Sequence, residues 1–145
     1  MYLIDTAVIR EAGRGPLAHG GVRAFFEEVQ RERSRLFLAA VTVGELSRAL
    51  ALIRQRGEES QARELEDWLR LLLQDHDESL LTLDARAAQL WGLLLARHPQ
   101  QVIALQIAAI AVVHDLTLVT RLTPVLGTAG VRVRDPWSMN GAIGA

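Results

Sequence analysis

Short apolar runs alternate with amphipathic stretches along this chain, and the alternation predicts strands separated by helices. Tyr2, Leu3 and Ile4 form a first strand that runs directly into Asp5-Thr6. Residues 21–33 then place Val22, Phe25, Phe26 and Val29 on one face of a helix, the i, i+3, i+4, i+7 pattern of a helix lying on a core. Residues 35–41 read as a second strand. Thr42 stands three residues before Glu45, a capping-box spacing, and opens a helix through Leu46, Leu50 and Ile53 that Gly57 stops. In the next helix, residues 58–73, Leu65, Trp68, Leu69 and Leu72 form the buried stripe. On its wet side Glu59/Arg63, Arg63/Asp67 and Glu66/Arg70 are spaced for pairing.

Residues 80–83 are a third short strand. Asp84 is the N-cap of a helix over residues 85–97 that carries Trp91 and Leu94 and ends at His98-Pro99. A helix over 102–114 leads into a strand at 116–120, and residues 131–133 form a last edge strand before Asp135-Pro136-Trp137. Strands alternating with helices predict an α/β fold, a central parallel sheet of about four to five strands wrapped by helices in a three-layer sandwich. A single domain is expected over residues 1–137, with a loose tail over 138–145.

Composition narrows the function classes. At 145 residues with 50% hydrophobic positions, the chain is long enough to bury a core and too apolar for disorder. Its net charge of −1 gives no global attraction to nucleic acid, so any such binding must come from local patches. All 16 basic residues are arginine and none is lysine, a bias that genome composition explains as well as selection for phosphate binding does. Cysteine is absent, which excludes disulfides and thiolate zinc sites. The longest apolar stretch, from Val102 to Val113, is broken by Gln106 and too short to span a bilayer. No membrane association is expected, and the expected location is cytoplasmic.

The acids are unevenly placed: after Asp84 only Asp115 and Asp135 remain of the 17. Asp5 stands at a strand's carboxyl end and Glu45 near the start of the helix after the second strand. In an open α/β sheet both positions open on the crevice where polar chemistry collects. Glu45 has a second reading, as the capping partner of Thr42. Arg10 and Arg14 follow the first strand and Arg121 follows the strand at 116–120, so each is a candidate phosphate contact as well as an ordinary solvated side chain. The Leu71-Leu72-Leu73 run and Trp91 exceed what a small sandwich needs for its core and point to a C2 homodimer, with ordinary core as the other reading and the preferred one for Trp91.

Four ordered segments together resemble one family: Tyr2-Leu3-Ile4-Asp5-Thr6, Val41-Thr42-Val43-Gly44-Glu45-Leu46, Ile107-Ala108-Ala109-Ile110-Ala111 continuing to His114-Asp115-Leu116-Thr117-Leu118-Val119-Thr120-Arg121, and Gly130-Val131-Arg132-Val133 with Pro136-Trp137. The chain resembles the PIN-domain family, close to the VapC-type toxins of bacterial toxin–antitoxin pairs. The resemblance implies a parallel-sheet sandwich, usually dimeric, that cleaves RNA with Mg²⁺ or Mn²⁺ held by three or four acids. It also implies a small antitoxin laying a peptide across the active-site groove.

Carried onto this sequence, the first two family acids fall on Asp5 and Glu45. The third falls on Ala104. The family's Thr-Arg-Asn motif, followed two residues on by Asp, meets Thr120-Arg121-Leu122 and Val125, so its Asn becomes Leu122 and its Asp becomes Val125. The Asn that commonly follows Asp-Thr is Ala7, and the loop over residues 98–102 is shorter than the family's. Asp115 lies about 16 Å from Ala104 at 1.5 Å per helical residue, and Asp135 precedes a proline near the sheet edge. Two carboxylates and waters hold Mg²⁺ only loosely. The expectation is a degenerate PIN domain, catalytically silent or impaired, with Mg²⁺ or Mn²⁺ weak or absent and RNA binding weak. The alternative is an active Mg²⁺-dependent endoribonuclease toxin whose metal is completed by backbone carbonyls, threonine hydroxyls, substrate phosphates or a partner chain.

Overall fold

A computed structural model of the chain describes residues 1–121, 126 and 129–138. The elements run β1 (Tyr2–Ile4), α1 (Thr6–Ala12), α2 (Gly20–Glu32), β2 (Leu36–Ala39), α3 (Ala40–Gln55), α4 (Glu59–Asp75), β3 (Leu80–Leu81), α5 (Ala85–Arg97), α6 (Val102–Val113), β4 (Thr117–Val119) and β5 (Val133–Arg134). All pairings are parallel and the sheet order is β3-β2-β1-β4-β5. The order runs one way from β1 through β2 to β3 and the other way from β1 to β4 and β5. The carboxyl ends of β1 and β4 therefore flank the point where the topology reverses, the place such sheets reserve for ligands.

Side-chain alternation along each strand divides the core into two layers. Leu3, Phe37, Ala39 and Leu118 face α5 and α6. Ile4, Leu38 and Val119 face the other way, toward Val8 and Ile9 of α1, Phe25 and Val29 of α2, Leu46 of α3 and Leu69 and Leu72 of α4. Helix α6 is buried along most of its length because Leu105 and residues 107–111 are apolar all round.

Several sequence expectations hold closely. Asp84 caps α5, its Oδ1 accepting from the Ala87 N–H at 2.9 Å. Helix α3 gives way to Gly57 at φ +78, backbone that glycine adopts without strain. Others need correction. Strand β2 ends at Ala39, and α3 begins at Ala40 with Thr42 already in its first turn, so Thr42 is not the cap. The edge strand lies at Val133–Arg134 rather than 131–133.

On α4, Arg63 reaches Glu59 at 3.8 Å, but Glu66 pairs at 2.6 Å with Arg54 of α3 instead of with Arg70, and Asp67 is met by Arg70 at 3.2 Å. Trp91 takes its reading as core: it packs on the α5–α6 side and donates its indole N–H to the Val102 carbonyl at 3.0 Å. The expected tail beyond Ser138 lies outside the described residues.

Strand β5 is fastened by Arg134. Its guanidinium bonds Glu28 of α2, donates to the Tyr2 hydroxyl at 3.0 Å and lies 5.0 Å from the Phe25 ring centre. That hydrogen bond from Arg134 holds the Glu28 carboxyl below its ordinary range.

Candidate functional site

Asp5 leaves β1 with its backbone still in the sheet, its N–H donating to the Val119 carbonyl at 3.1 Å. Its side chain turns to the neighbouring strand end, where Oδ2 accepts from the buried Thr120 hydroxyl at 2.5 Å. The next residue, Thr6, points the other way and donates to Glu45 Oε1 at 2.5 Å. The Thr6 and Thr42 hydroxyl oxygens are 3.0 Å apart. Because a hydroxyl carries one hydrogen, Thr6 directs its own to Glu45 and faces Thr42 as an acceptor. The dipeptide Asp5-Thr6 thus ties both candidate acids to β4 and α3.

The capping reading of Glu45 does not hold in this geometry. Its partner is Thr6, 39 residues away, and not the helix start beside it. Thr42, at its spacing of three residues, serves the same network from below.

Beside Glu45 a cleft of ≈ 410 Å³ opens between α1, α3 and the first turn of α6. Thr6, Glu45, Arg10, Arg48, Arg56 and Ile103 are among the residues that line it, with Gln61 of α4. Ala104, next to Ile103, is the third residue of α6 and half-buried. Asp5 does not line the cleft itself. Positions Leu122 and Val125 lie outside the described residues.

Of the remaining sequence candidates, Arg10 lines the cleft. Arg14 is paired with Glu11 at 2.9 Å. Arg121 is exposed, with its guanidinium 4.3 Å from the Trp137 ring centre in a cation–π position. Arg48 and Arg56 had not been singled out, although a signal existed. Positions 45, 48, 49, 52, 53 and 56 repeat at helical spacing, so one face of α3 carries Glu45, both arginines and Leu52 and Ile53 together.

The donor set is thin for a divalent cation. Among the described residues, Asp5 and Glu45 are not joined by a third histidine or acid into a group that would hold a metal ion. Each acid already has one oxygen engaged by a threonine hydroxyl. Asp115 is taken by Arg132 at 2.8 Å, and Asp135 accepts from the Trp137 N–H at 2.9 Å, so neither late acid turns toward the pair.

Comparison with known proteins gives one consistent result. The PIN domain family profile matches residues 2–121. Plasmid stability protein StbB of Pseudomonas syringae pv. tomato is 32% identical over 143 residues, covering 94% of this chain and 99% of that protein. Among solved structures, FitAcB from Neisseria gonorrhoeae superimposes with a TM-score of 0.74 at 28% identity, over 95% of this chain and 99% of that one. DNA-bound VapBC from Salmonella typhimurium shares the fold, with a TM-score of 0.70 at 21% identity over 93% of this chain and 97% of that one.

Proposed function

The chain belongs to the PIN domain family, and from that premise we propose that it is a toxin–antitoxin member with an eroded acidic centre, silent or impaired as a ribonuclease and retained as a binding module. The observation that carries this reading is that no third histidine or acid joins Asp5 and Glu45 among the described residues, beside an α6 whose first turn offers Ala104 where the resemblance places an acid. Mg²⁺ demands near-octahedral oxygen ligation and is reluctant to shed water. Two carboxylates with no third acid or histidine beside them among the described residues do not fit that demand, so no step of this proposal runs through a metal.

The experiment is an RNA cleavage assay with Mn²⁺ on the chain and on Asp5→Asn. No cleavage that depends on Asp5 is expected. Cleavage that Asp5→Asn abolishes would restore the reading as an active endoribonuclease, with the Thr6 and Thr120 hydroxyls beside the acids completing the ligands.

Two further parts of the reading concern partners. A small antitoxin is the expected protein partner, since solved relatives include FitAB bound to a DNA fragment and DNA-bound VapBC. A second copy of the chain is the other. Leu93, Val102 and Val112 stay 70%, 44% and 39% exposed on α5 and α6, apolar area that a C2 interface buries. Sedimentation at micromolar concentration is expected to show a dimer. A monomer there would remove the homodimer from the reading.

A further inference from the structure

One residue, His19, touches α1, α2 and the segment after β5 together. It is the N-cap of α2, where its Nδ1 accepts from the Gly21 N–H at 3.1 Å. Its own backbone N–H donates to Glu11 Oε1 of α1 at 2.8 Å. Its ring lies 6.3 Å, centre to centre, from the ring of Trp137.

The bond to Gly21 fixes the state of the imidazole. A ring nitrogen that accepts carries no proton, so Nε2 holds the hydrogen and the ring is neutral. An imidazolium donates from both nitrogens and has nothing to offer the Gly21 N–H. The cap therefore exists only for the uncharged ring, on a side chain type that changes charge between about pH 5 and pH 8.

Loss of the cap is transmitted by direct contact. Gly21 is buried, and a Cβ built there would sit 2.0 Å from the Pro136 carbonyl oxygen, so the start of α2 rests on the backbone of the segment after β5. Pro136 leads into Trp137, whose N–H donates to Asp135 Oδ1 at 2.9 Å and whose ring carries the Arg121 guanidinium at 4.3 Å. Arg121 follows Thr120, the donor to Asp5.

The charged groups on the elements that meet at His19 are Glu11 and Arg14 from α1 and the turn after it, Arg23 in the first turn of α2, and Asp135 and Arg121 beside Trp137. Glu11 favours an imidazolium, but Arg14 already meets it at 2.9 Å. The positive end of the α2 dipole opposes one. A proton on Nδ1 also sets a second cation beside the Trp137 ring, where Arg121 already lies.

We propose that His19 is a proton-operated latch: its neutral imidazole clamps the start of α2 to the Trp137 segment, and protonation of Nδ1 releases both and frees Arg121 from its place at the carboxyl end of β4.

The test is an NMR titration of the full chain between about pH 8 and pH 5. Glu11 stays ionised over that span, because the His19 backbone N–H holds its carboxyl below the ordinary range, with Arg14 acting in the same direction. At the alkaline end the ring nitrogen shifts are expected to place the hydrogen on Nε2. On acidification the Gly21 N–H is expected to lose about fivefold in exchange protection, taken relative to its intrinsic rate, which is the worth of one N-cap. The Trp137 indole signal is expected to move with it, while that of Trp91, bonded to Val102, stays. His19→Asn supplies a strong cap that does not titrate, and its Gly21 protection is expected to stay constant across the range.

A proton on Nδ1 at the alkaline end, Gly21 protection that does not follow the His19 ring, or an equal fall in His19→Asn would overturn the latch. A Trp137 signal that stays while Gly21 opens would overturn the coupling to Arg121. If His19→Asn does not fold, the unmodified chain decides alone, since the ring, the Gly21 N–H and the Trp137 indole must then share one midpoint or the latch is wrong.

Discussion

Gly21→Ala is expected to destabilise the protein by about 1–3 kcal/mol, the range for forcing an added methyl into a packed site. Gly21 is the second residue of α2, and its N–H donates to His19 Nδ1 at 3.1 Å, which fixes the helix start. A Cβ built there would sit 2.0 Å from the Pro136 carbonyl oxygen. Backbone cannot step aside as a flexible side chain can, so either α2 or the segment after β5 must move. That segment carries Trp137, which packs on the core layer of α1, α2 and α4 and supports the Arg121 guanidinium. Urea denaturation measures the cost. A change within about 0.5 kcal/mol, the level of an ordinary surface substitution, would show that the close approach of α2 and Pro136 is not maintained in solution.

The second large effect concerns the acidic centre. Ala104→Asp, Leu122→Asn and Val125→Asp together are expected to rebuild the family's polar cluster beside Asp5 and Glu45. Without metal the added like charges repel one another and the variant is expected to lose about 1–3 kcal/mol. With Mg²⁺ or Mn²⁺ the loss is expected to be recovered, because a ligand that binds only the folded state stabilises it by RT ln(1 + [L]/Kd), about 2.7 kcal/mol at a hundredfold excess over Kd. Melting curves with and without metal read both signs at once. A folded variant with no metal-dependent stabilisation would mean that positions 104, 122 and 125 do not map onto the acidic site, and Asp5 and Glu45 would lose their standing with them.

How far the sequence revealed this molecule depended on whether the signal was local. The run into Asp5, the Asp84 cap and the apolar helix from Val102 announce themselves within a few residues, and the structure places each where the pattern does. Glu45 was ambiguous because its spacing from Thr42 satisfies a local rule, while its actual partner, Thr6, comes from another helix through parallel pairing of β1 and β2. The Ala39-Ala40-Val41 stretch is equally open to strand or helix, and α3 claims Ala40 and Val41.

The edge strand shifted for a similar reason. Val131 is buried, but the residues paired with Leu118 and Val119 are Val133 and Arg134, and Arg134 is held there by Glu28, a contact across 106 residues. Arg48 and Arg56 were legible only by taking helical spacing onward from Glu45. Their significance needed Arg10 of α1 and the start of α6 in the same place.

The most direct measurement of the eroded centre is isothermal titration of the unmodified chain with Mn²⁺, alongside Asp5→Asn. A dissociation constant no tighter than millimolar, where binding is worth only about 4 kcal/mol, and the same heats from Asp5→Asn, are the predicted result. A micromolar site that Asp5→Asn abolishes would contradict it and make Asp5 a working metal ligand.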